Sequence, residues 1–498
     1  MQVLAQEFGE RAERSPSDVA VIDVFGEHTA GEVMQAAREL AALLETSLGG
    51  SPTVLVQADN TWRTLATALA VGLRGGMVAV FSSHAVAEEF ELAMVDLRPD
   101  AVVAASAVLD HWGASTADFP DSHKALDGWS LRTSGGPVSD IARWHGGSAV
   151  AMTSGSTGRP KCVVQSEDAI RYAGSCTIEA IGLEAGDAVG AFVPLSSVAA
   201  FCFGMYLPAM LGGPMVCIES WKPDLALEAM ATNDVRWTML VPTMALQLSV
   251  RPTAPGKLAG LKAMTVGGGP MDAGALGRAE ELLGTKLIRV FGMSECLGHT
   301  TTRPGDDAET RLARDGRPFP GTEVRAVGDD GRPVADGEIG AAQVRGPSLF
   351  VGYARDGQPQ PPELTADGFL PTGDLARLNA DGTINILGRE KQIIIRGGRN
   401  IDINEVEAAV AKIPAVAQVC VVPVPDELLG ERAAALVVST DPALTLEDVT
   451  GFLDEHGFPK AKWPEFVFVV PDLPQNRVGK LSRPDAVTLA TQLTKQVT

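Results

Sequence analysis

Short apolar runs alternate with longer amphipathic ones along the first third of the chain. PTVLVQ from Pro52 reads as an apolar strand, Asn60 is placed to cap a helix through TWRTLATALAVGL, and after Gly75-Gly76 the strand MVAVF follows. A helix through AVAEEFELAMVDL and a strand AVVAA from Ala101 continue the rhythm. Between Ala188 and Ile218 the order recurs without a single charged side chain: AVGAFVPL, AAFCFGMYLPAML and PMVCI. That stretch is long enough to span a bilayer, but Pro194, Pro208, Pro214 and Gly212-Gly213 cut it into buried strand, helix and buried strand. Alternation of this kind predicts an α/β fold with parallel sheets covered by helices, which hold ligands at the carboxyl ends of strands.

Elsewhere the pattern changes. From about Ser106 to His145 periodicity is weak and small polar residues are frequent, so surface loops are expected. Past Arg311 come short strands and turns, TEVRAV, GDDGRPV, GAAQVRG and DGTINILG, with Asp330-Gly331 and Asp381-Gly382 marking hairpins of a small antiparallel barrel or sheet. After Gly388 the chain is mixed again. The strand QIIIR, a helix with Asn404 as its expected cap and Glu407 three residues on, and the strands QVCVVPV and AAALVVS predict a separate small α+β domain.

Composition narrows the function. The 498 residues exceed what one hydrophobic core organises, and a formal net charge of -21 without basic runs argues against nucleic acid as a partner. The six cysteines (Cys162, Cys176, Cys202, Cys217, Cys296, Cys420) form no metal-binding spacing and read as reduced thiols. The N-terminus is regularly charged and lacks the apolar core of a signal peptide. A cytoplasmic protein without membrane insertion is expected.

The stretch TSGSTGRPK, Thr153 to Lys161, has the glycine and hydroxyl content of a phosphate loop. It is no Walker loop, since Pro160 lacks the backbone N–H that such a cradle uses and Cys162 stands where a magnesium-binding hydroxyl would follow the lysine. Four further stretches accompany it: VFGMSE (Val290 to Glu295), PTGDLARL (from Pro371), LGREKQIIIRGGRNIDINEVE (from Leu387) and LPQNRVGKL (from Leu473). In order and spacing these five resemble the adenylate-forming superfamily of acyl- and aryl-CoA synthetases, adenylation domains and luciferases. The match extends from Thr153 to Leu481, with a looser likeness in the strand–helix alternation before it.

The resemblance implies an N-terminal domain over residues 1–388, β-rich from about 311, a hinge at 389–391, and a mobile C-terminal domain over 392–498. It implies that Thr153, Ser154, Ser156 and Thr157, with the backbone at Gly155 and Gly158, wrap the β- and γ-phosphates of ATP beside Lys161. Phe291 would face adenine, Ser294 would reach the α-phosphate, and Glu295 would hold Mg²⁺, which favours one or two carboxylates with phosphate oxygens. Gly267, Gly268 and Gly269 would allow close backbone approach to base and acyl group. Asp374 would bind the ribose hydroxyls with Arg389 as a second contact. Lys480 would bridge the carboxylate and the α-phosphate as negative charge builds. Lys391 falls at the hinge position, and Gly397 and Gly398 would line the pantetheine channel in the second half-reaction.

Amino-acid-activating relatives place an aspartate after the phosphate loop to pair the substrate ammonium, and this sequence has no acidic residue between Ala188 and Ile218. The expected pocket walls Val198, Ala199, Ala200, Phe201, Gly267, Gly269, Met293 and Leu297 suit an aryl, alicyclic or short-to-medium aliphatic acid, with His299 at the floor. Several positions depart from the family pattern: Cys162 stands for a glycine, VPLSSV lacks a frequent histidine, Ile403 replaces a proline, and Asn476-Arg477-Val478 precedes Gly479-Lys480. Coenzyme A is the expected acceptor, because no serine-centred phosphopantetheine site follows Lys480; the phosphopantetheine of a free carrier protein is the alternative. A non-catalytic nucleotide-binding relative is disfavoured by the joint presence of Glu295, Asp374, Arg389 and Lys480.

Overall fold

The computed structural model describes residues 1–114, 118–153, 161–251, 256–269, 271–328, 330–389, 392–396, 399–426, 428–476 and 479–497. They form a mixed α/β structure of two compact units. The first comprises Met1–Gly268, Arg278–Val324 and Val344–Leu370; the second comprises Gly269–Gly277, Arg325–Gln343 and Pro371–Thr498.

The first unit holds two nine-stranded sheets. One has the parallel strands Ala188–Ala191, Val235–Leu240, Ala263–Gly267 and Leu287–Met293 at its centre, the last followed by the antiparallel Cys296–Thr301. The other has the parallel strands Ala101–Ala105, Thr53–Gln57, Met77–Phe81 and Gly147–Thr153, then the antiparallel Lys161–Ser166 and Gly352–Arg355. Thr53–Gln57 and Met77–Phe81 are buried at every position, as strands covered on both faces require. The charge-free stretch folds as strand Ala188–Ala191, a helix running Val198–Leu211 and strand Met215–Cys217. Between Phe201 and Tyr206 that helix widens to π spacing, and the Leu207 amide reaches back five residues to the Cys202 carbonyl. Pro208, which has no amide hydrogen for the ladder, is the local cause.

Three expectations are corrected. Thr61, not Asn60, caps the helix Trp62–Leu73. The Asn60 amide instead donates to the Ala191 and Val193 carbonyls at 2.7 and 3.1 Å and accepts from Leu195, fastening the segment that leads to Val198. Asp402, not Asn404, caps the helix Ile403–Val410, and Asn404 lies where a Cβ on Gly388 would have to be. The stretch 106–145 contains more than loops: Trp129–Thr133 pairs with Ala101–Ala105, burying Trp129, Leu131 and Thr133 in period two.

The second unit carries strands of a four-stranded sheet, including the antiparallel pair Leu370–Leu378 and Ile384–Arg389 with Gly382 at φ 79° in the turn between them. Its α+β part is a five-stranded sheet around the long hairpin Val416–Asp426 and Gly430–Ser439. Alternate residues feed two cores. Val421, Ala433, Ala435 and Val437 meet the helices Ile403–Val410 and Leu446–Glu455, while Cys420, Val422, Ala434 and Leu436 meet Ala486 and Ala490 of Arg483–Val497. The six cysteines are free thiols, five of them buried. Among the described residues no helix is long and apolar enough to cross a membrane.

Candidate active site

The phosphate-loop sequence joins two antiparallel strands, and Thr153 and Lys161 face each other as a register pair where the hairpin opens. Ser154, Gly155, Ser156, Thr157 and Gly158 lie outside the described residues, as do Lys391, Gly397 and Gly398. On the neighbouring strand Tyr353 pairs with Val163, which makes Lys161 its diagonal neighbour on the same face. The Lys161 ammonium accordingly sits over the Tyr353 ring, 4.8 Å from its centroid.

The Tyr353 hydroxyl donates to Glu295 Oε1 at 2.6 Å. Glu295 occupies the two-residue turn between Leu287–Met293 and Cys296–Thr301, where Met293 pairs with Cys296. The turn is fixed from outside: Gln165, two strand steps beyond Val163, donates its amide to the Ser294 carbonyl at 2.7 Å, and the Phe350 amide bonds the Glu295 carbonyl at 2.9 Å. Gly292 lies so close to the Gly298 backbone that a Cβ on it would overlap that strand. Burial and the neighbouring carboxylate push the Tyr353 hydroxyl up, so it remains a donor. Tyr353 and Gln165 were missed in the sequence; the only signal was the alternation of GYAR beside KCVVQS, which does not reveal pairing between distant strands.

Glu295 is half-buried, with one carboxylate oxygen on Tyr353 and no ion pair among the described residues. That donor set fits Mg²⁺, which takes one or two carboxylates and completes its shell with phosphate oxygens. Among the described residues no group of three or more acidic, histidine or cysteine side chains could form an all-protein cage.

Several of the residues expected to wall the acyl pocket lie on or beside the strand Cys296–Thr301. The short helix Val198–Ala200 packs against it, its first turn capped by Ser197, and Val198, Ala200, Phe201 and Leu297 are buried while Ala199 and Met293 are half-buried. Gly267 packs so closely on Val290 that a Cβ would overlap it, giving it a strand-packing role; Gly268 follows at φ 82°, and Gly269 falls in the second unit. Phe291 is half-buried, its ring edge-on to the wholly buried His299 at 4.8 Å and 78°.

His299 Nδ1 lies 3.1 Å from the Cys296 carbonyl, which only a protonated Nδ1 can satisfy. Burial, opposed by that bond, brings the imidazole from 6.5 down to about 4. As pH falls between those values the unfolded chain takes up a proton that the folded chain refuses. Stability is therefore expected to decline from pH about 6.5 to about 4 and to level off below. Urea midpoints across this window check it: His299→Gln should flatten the decline, and an unchanged slope would assign the loss to other groups.

In the second unit, Asp374 and Arg389 are a register pair of adjoining strands, with Arg389 Nε 3.1 Å from Asp374 Oδ1. Asp374 is nearly buried behind Gly373, which turns at φ 73°. The pair sets the guanidinium directly against the carboxylate. Lys480 closes a tight turn in which the Lys480 amide bonds Asn476 Oδ1 at 2.9 Å and the Asn476 amide returns to the Lys480 carbonyl at 2.7 Å. Gly479, at φ 75°, makes the turn possible. Three residues on, Arg483 forms a fork on Glu407, both contacts at 2.9 Å, and also bonds the Val421 carbonyl. Glu407, expected to serve the helix start, instead anchors the lysine turn.

Comparison with known proteins agrees with this architecture. The model of the AMP-binding enzyme family matches residues 8–354, that of the AMP-binding enzyme C-terminal domain matches residues 405–480, and the chain belongs to this adenylate-forming family. It is similar to a salicylyl-CoA synthase / salicylate adenylyltransferase of a Streptomyces species, at 32% identity over 95% of this chain and 91% of the relative. A salicyl-AMP ligase / salicyl-S-ArCP synthetase of Mycobacterium tuberculosis is 30% identical over 95% of this chain and 88% of its own. ATP-bound MatB of Rhodopseudomonas palustris shares the fold at a TM-score of 0.82 and 24% identity, over 98% of this chain and 99% of that one. The family chemistry is adenylate-forming activation of a carboxylic acid.

Proposed function

We propose that the protein activates an aryl carboxylic acid as its acyl-adenylate and transfers the acyl group to the thiol of coenzyme A. The observation that carries the first step is the joining of Lys161, Tyr353 and Glu295 where the phosphate hairpin opens. The aryl class is supported by two relatives matched over nearly their whole length, both named for salicylate, and by apolar walls without an acidic partner for an ammonium.

In this reading the substrate carboxylate attacks the α-phosphorus of ATP and pyrophosphate leaves. Lys161 places a cation beside the departing phosphates, Ser294 offers a hydroxyl, and Glu295 would hold Mg²⁺, which when bound neutralises pyrophosphate charge. Asp374 and Arg389 hold the ribose, and Lys480 brings a mobile point charge to the oxygens on which negative charge builds. A thiol then attacks the acyl carbonyl and AMP departs. A second acceptor, the phosphopantetheine of a carrier protein, is favoured by the likeness to the mycobacterial salicyl-S-ArCP synthetase.

Exchange of labelled pyrophosphate into ATP, measured across aryl, alicyclic, aliphatic and amino acids, tests the first step. Exchange supported by aryl acids is expected; exchange with amino acids alone would overturn the substrate class. With the active acid in hand, acyl-CoA formation is expected, and loading of holo-carrier without acyl-CoA would replace coenzyme A as acceptor.

A further inference from the structure

Glu295 and Lys161 belong to different sheets. The turn that carries Glu295 joins Leu287–Met293 to Cys296–Thr301, whereas Lys161 begins a strand that pairs with Gly147–Thr153. The separation of cation and carboxylate is therefore set by contacts that cross from sheet to sheet. Two side chains of the second sheet make such contacts. Tyr353 reaches the carboxylate itself, and Gln165, on the same face of the strand as Lys161, donates its amide to the Ser294 carbonyl at 2.7 Å.

A carbonyl held in place fixes the whole planar peptide to which it belongs. The Gln165 bond fixes the plane between Ser294 and Glu295, and the Phe350 amide, bonded to the Glu295 carbonyl at 2.9 Å, fixes the next. With both planes set, φ and ψ of Glu295 are set too, and its side-chain torsions are left for the Tyr353 hydroxyl to hold. Opposite Gln165 and Ser166 the ladder shifts register between Gly147 and Ala149, the kind of irregularity that re-aims a side chain. Gln165 is only 1% exposed, and its Oε1 has no partner among the described residues. An apolar side chain of that length would avoid the desolvation of the unmatched oxygen, so stability alone does not account for an amide at this position.

Resting on the reading that Glu295 holds Mg²⁺, we propose that Gln165 is a positioning residue for adenylation: its amide sets the Ser294 peptide plane so that the Glu295 carboxylate and the Lys161 ammonium address the same phosphates. The strand Lys161–Ser166 then supplies the cation at one end and the clamp on the metal-binding turn at the other.

The test follows Mn²⁺ binding to the complex of the full chain with ATP by electron paramagnetic resonance. Alongside it, the Mg²⁺ dependence of ATP–pyrophosphate exchange is measured with the acid that the wild-type protein exchanges best. Gln165→Met keeps the length and removes the donor. It is expected to weaken Mn²⁺ binding by about 3- to 10-fold and to lower exchange by about 10-fold at ordinary magnesium, with part of the loss recovered at high magnesium. Its urea midpoint should equal or exceed that of the wild type. In Gln165→His a ring N–H can replace the amide N–H, and exchange should stay within about 3-fold of the wild type. A merely structural glutamine would lower the midpoint and leave Mn²⁺ affinity unmoved, which overturns the proposal. If Gln165→Met does not fold, Gln165→Glu decides: a carboxylate of the same shape accepts but cannot donate, and exchange equal to the wild type would overturn the proposal as well. Weakened Mn²⁺ binding in Glu295→Gln but not in Gln165→Met rejects the positioning role alone. Unaltered binding in both removes the metal reading, and this proposal with it.

Discussion

Lys480→Ala is expected to lower ATP–pyrophosphate exchange by about 100-fold or more while leaving thioester formation from supplied acyl-adenylate largely intact. The reason lies in what the lysine does and does not support. Its backbone is held by the reciprocal bonds with Asn476, and the turn is anchored through Arg483 on Glu407, so removing the Lys480 side chain leaves the fold of the loop in place. What disappears is a cation that stabilises charge formed only in the adenylation transition state, and a loss of that kind falls on kcat rather than on ATP binding. Arg483→Ala provides the contrast. It strips a bidentate partner from Glu407 and should reduce stability and both half-reactions together. Two half-reactions that both persist unchanged in Lys480→Ala would show that another group supplies the charge.

How much of this was legible in the sequence depends on the range of the interactions involved. Local signals served well. The charge-free stretch 188–218 resolves into strand, helix and strand where its prolines and glycines indicated, and Asp381-Gly382 marks a real hairpin turn. Asp374 and Arg389, fifteen residues apart, emerge as direct neighbours because a hairpin brings them into register. Caps were misread where two competent residues adjoin. Asn60 and Thr61 can each accept from the next amides, and the choice fell to Thr61 because distant carbonyls at Ala191 and Val193 claim the asparagine. Asn404 lost its capping role to Asp402 similarly, since close packing on Gly388 occupies it.

Tyr353 shows the limit of such reading. It lies in none of the five motif stretches, and it meets Glu295 because Gly352–Arg355 pairs with Lys161–Ser166. Trp129–Thr133 escaped for another reason: a three-residue buried face, Trp, Leu and Thr, is too short for periodicity to stand out between polar loops.

Glu295→Gln is expected to reduce exchange by about 100-fold at ordinary magnesium concentration and to raise the concentration of the metal needed for half-maximal rate. The substitution is nearly isosteric, and its amide oxygen can still accept from the Tyr353 hydroxyl, so the turn between the two strands keeps its support from Tyr353, Gln165 and Phe350. The change therefore isolates the negative charge. Tyr353→Phe is the complementary variant: it leaves the charge and the ring beneath Lys161 but removes the bond that orients the carboxylate, and a smaller loss of about 3- to 10-fold follows from one charge-assisted hydrogen bond. Binding of Mn²⁺ to the enzyme–ATP complex, followed by electron paramagnetic resonance, separates the metal's affinity from turnover. Weakened Mn²⁺ binding in Glu295→Gln, with a lesser effect in Tyr353→Phe, makes the carboxylate the metal's protein ligand and the tyrosine its positioning partner. Unaltered Mn²⁺ binding in Glu295→Gln, with activity nonetheless lost, would instead assign the carboxylate to orienting Lys161 and the phosphates through Tyr353.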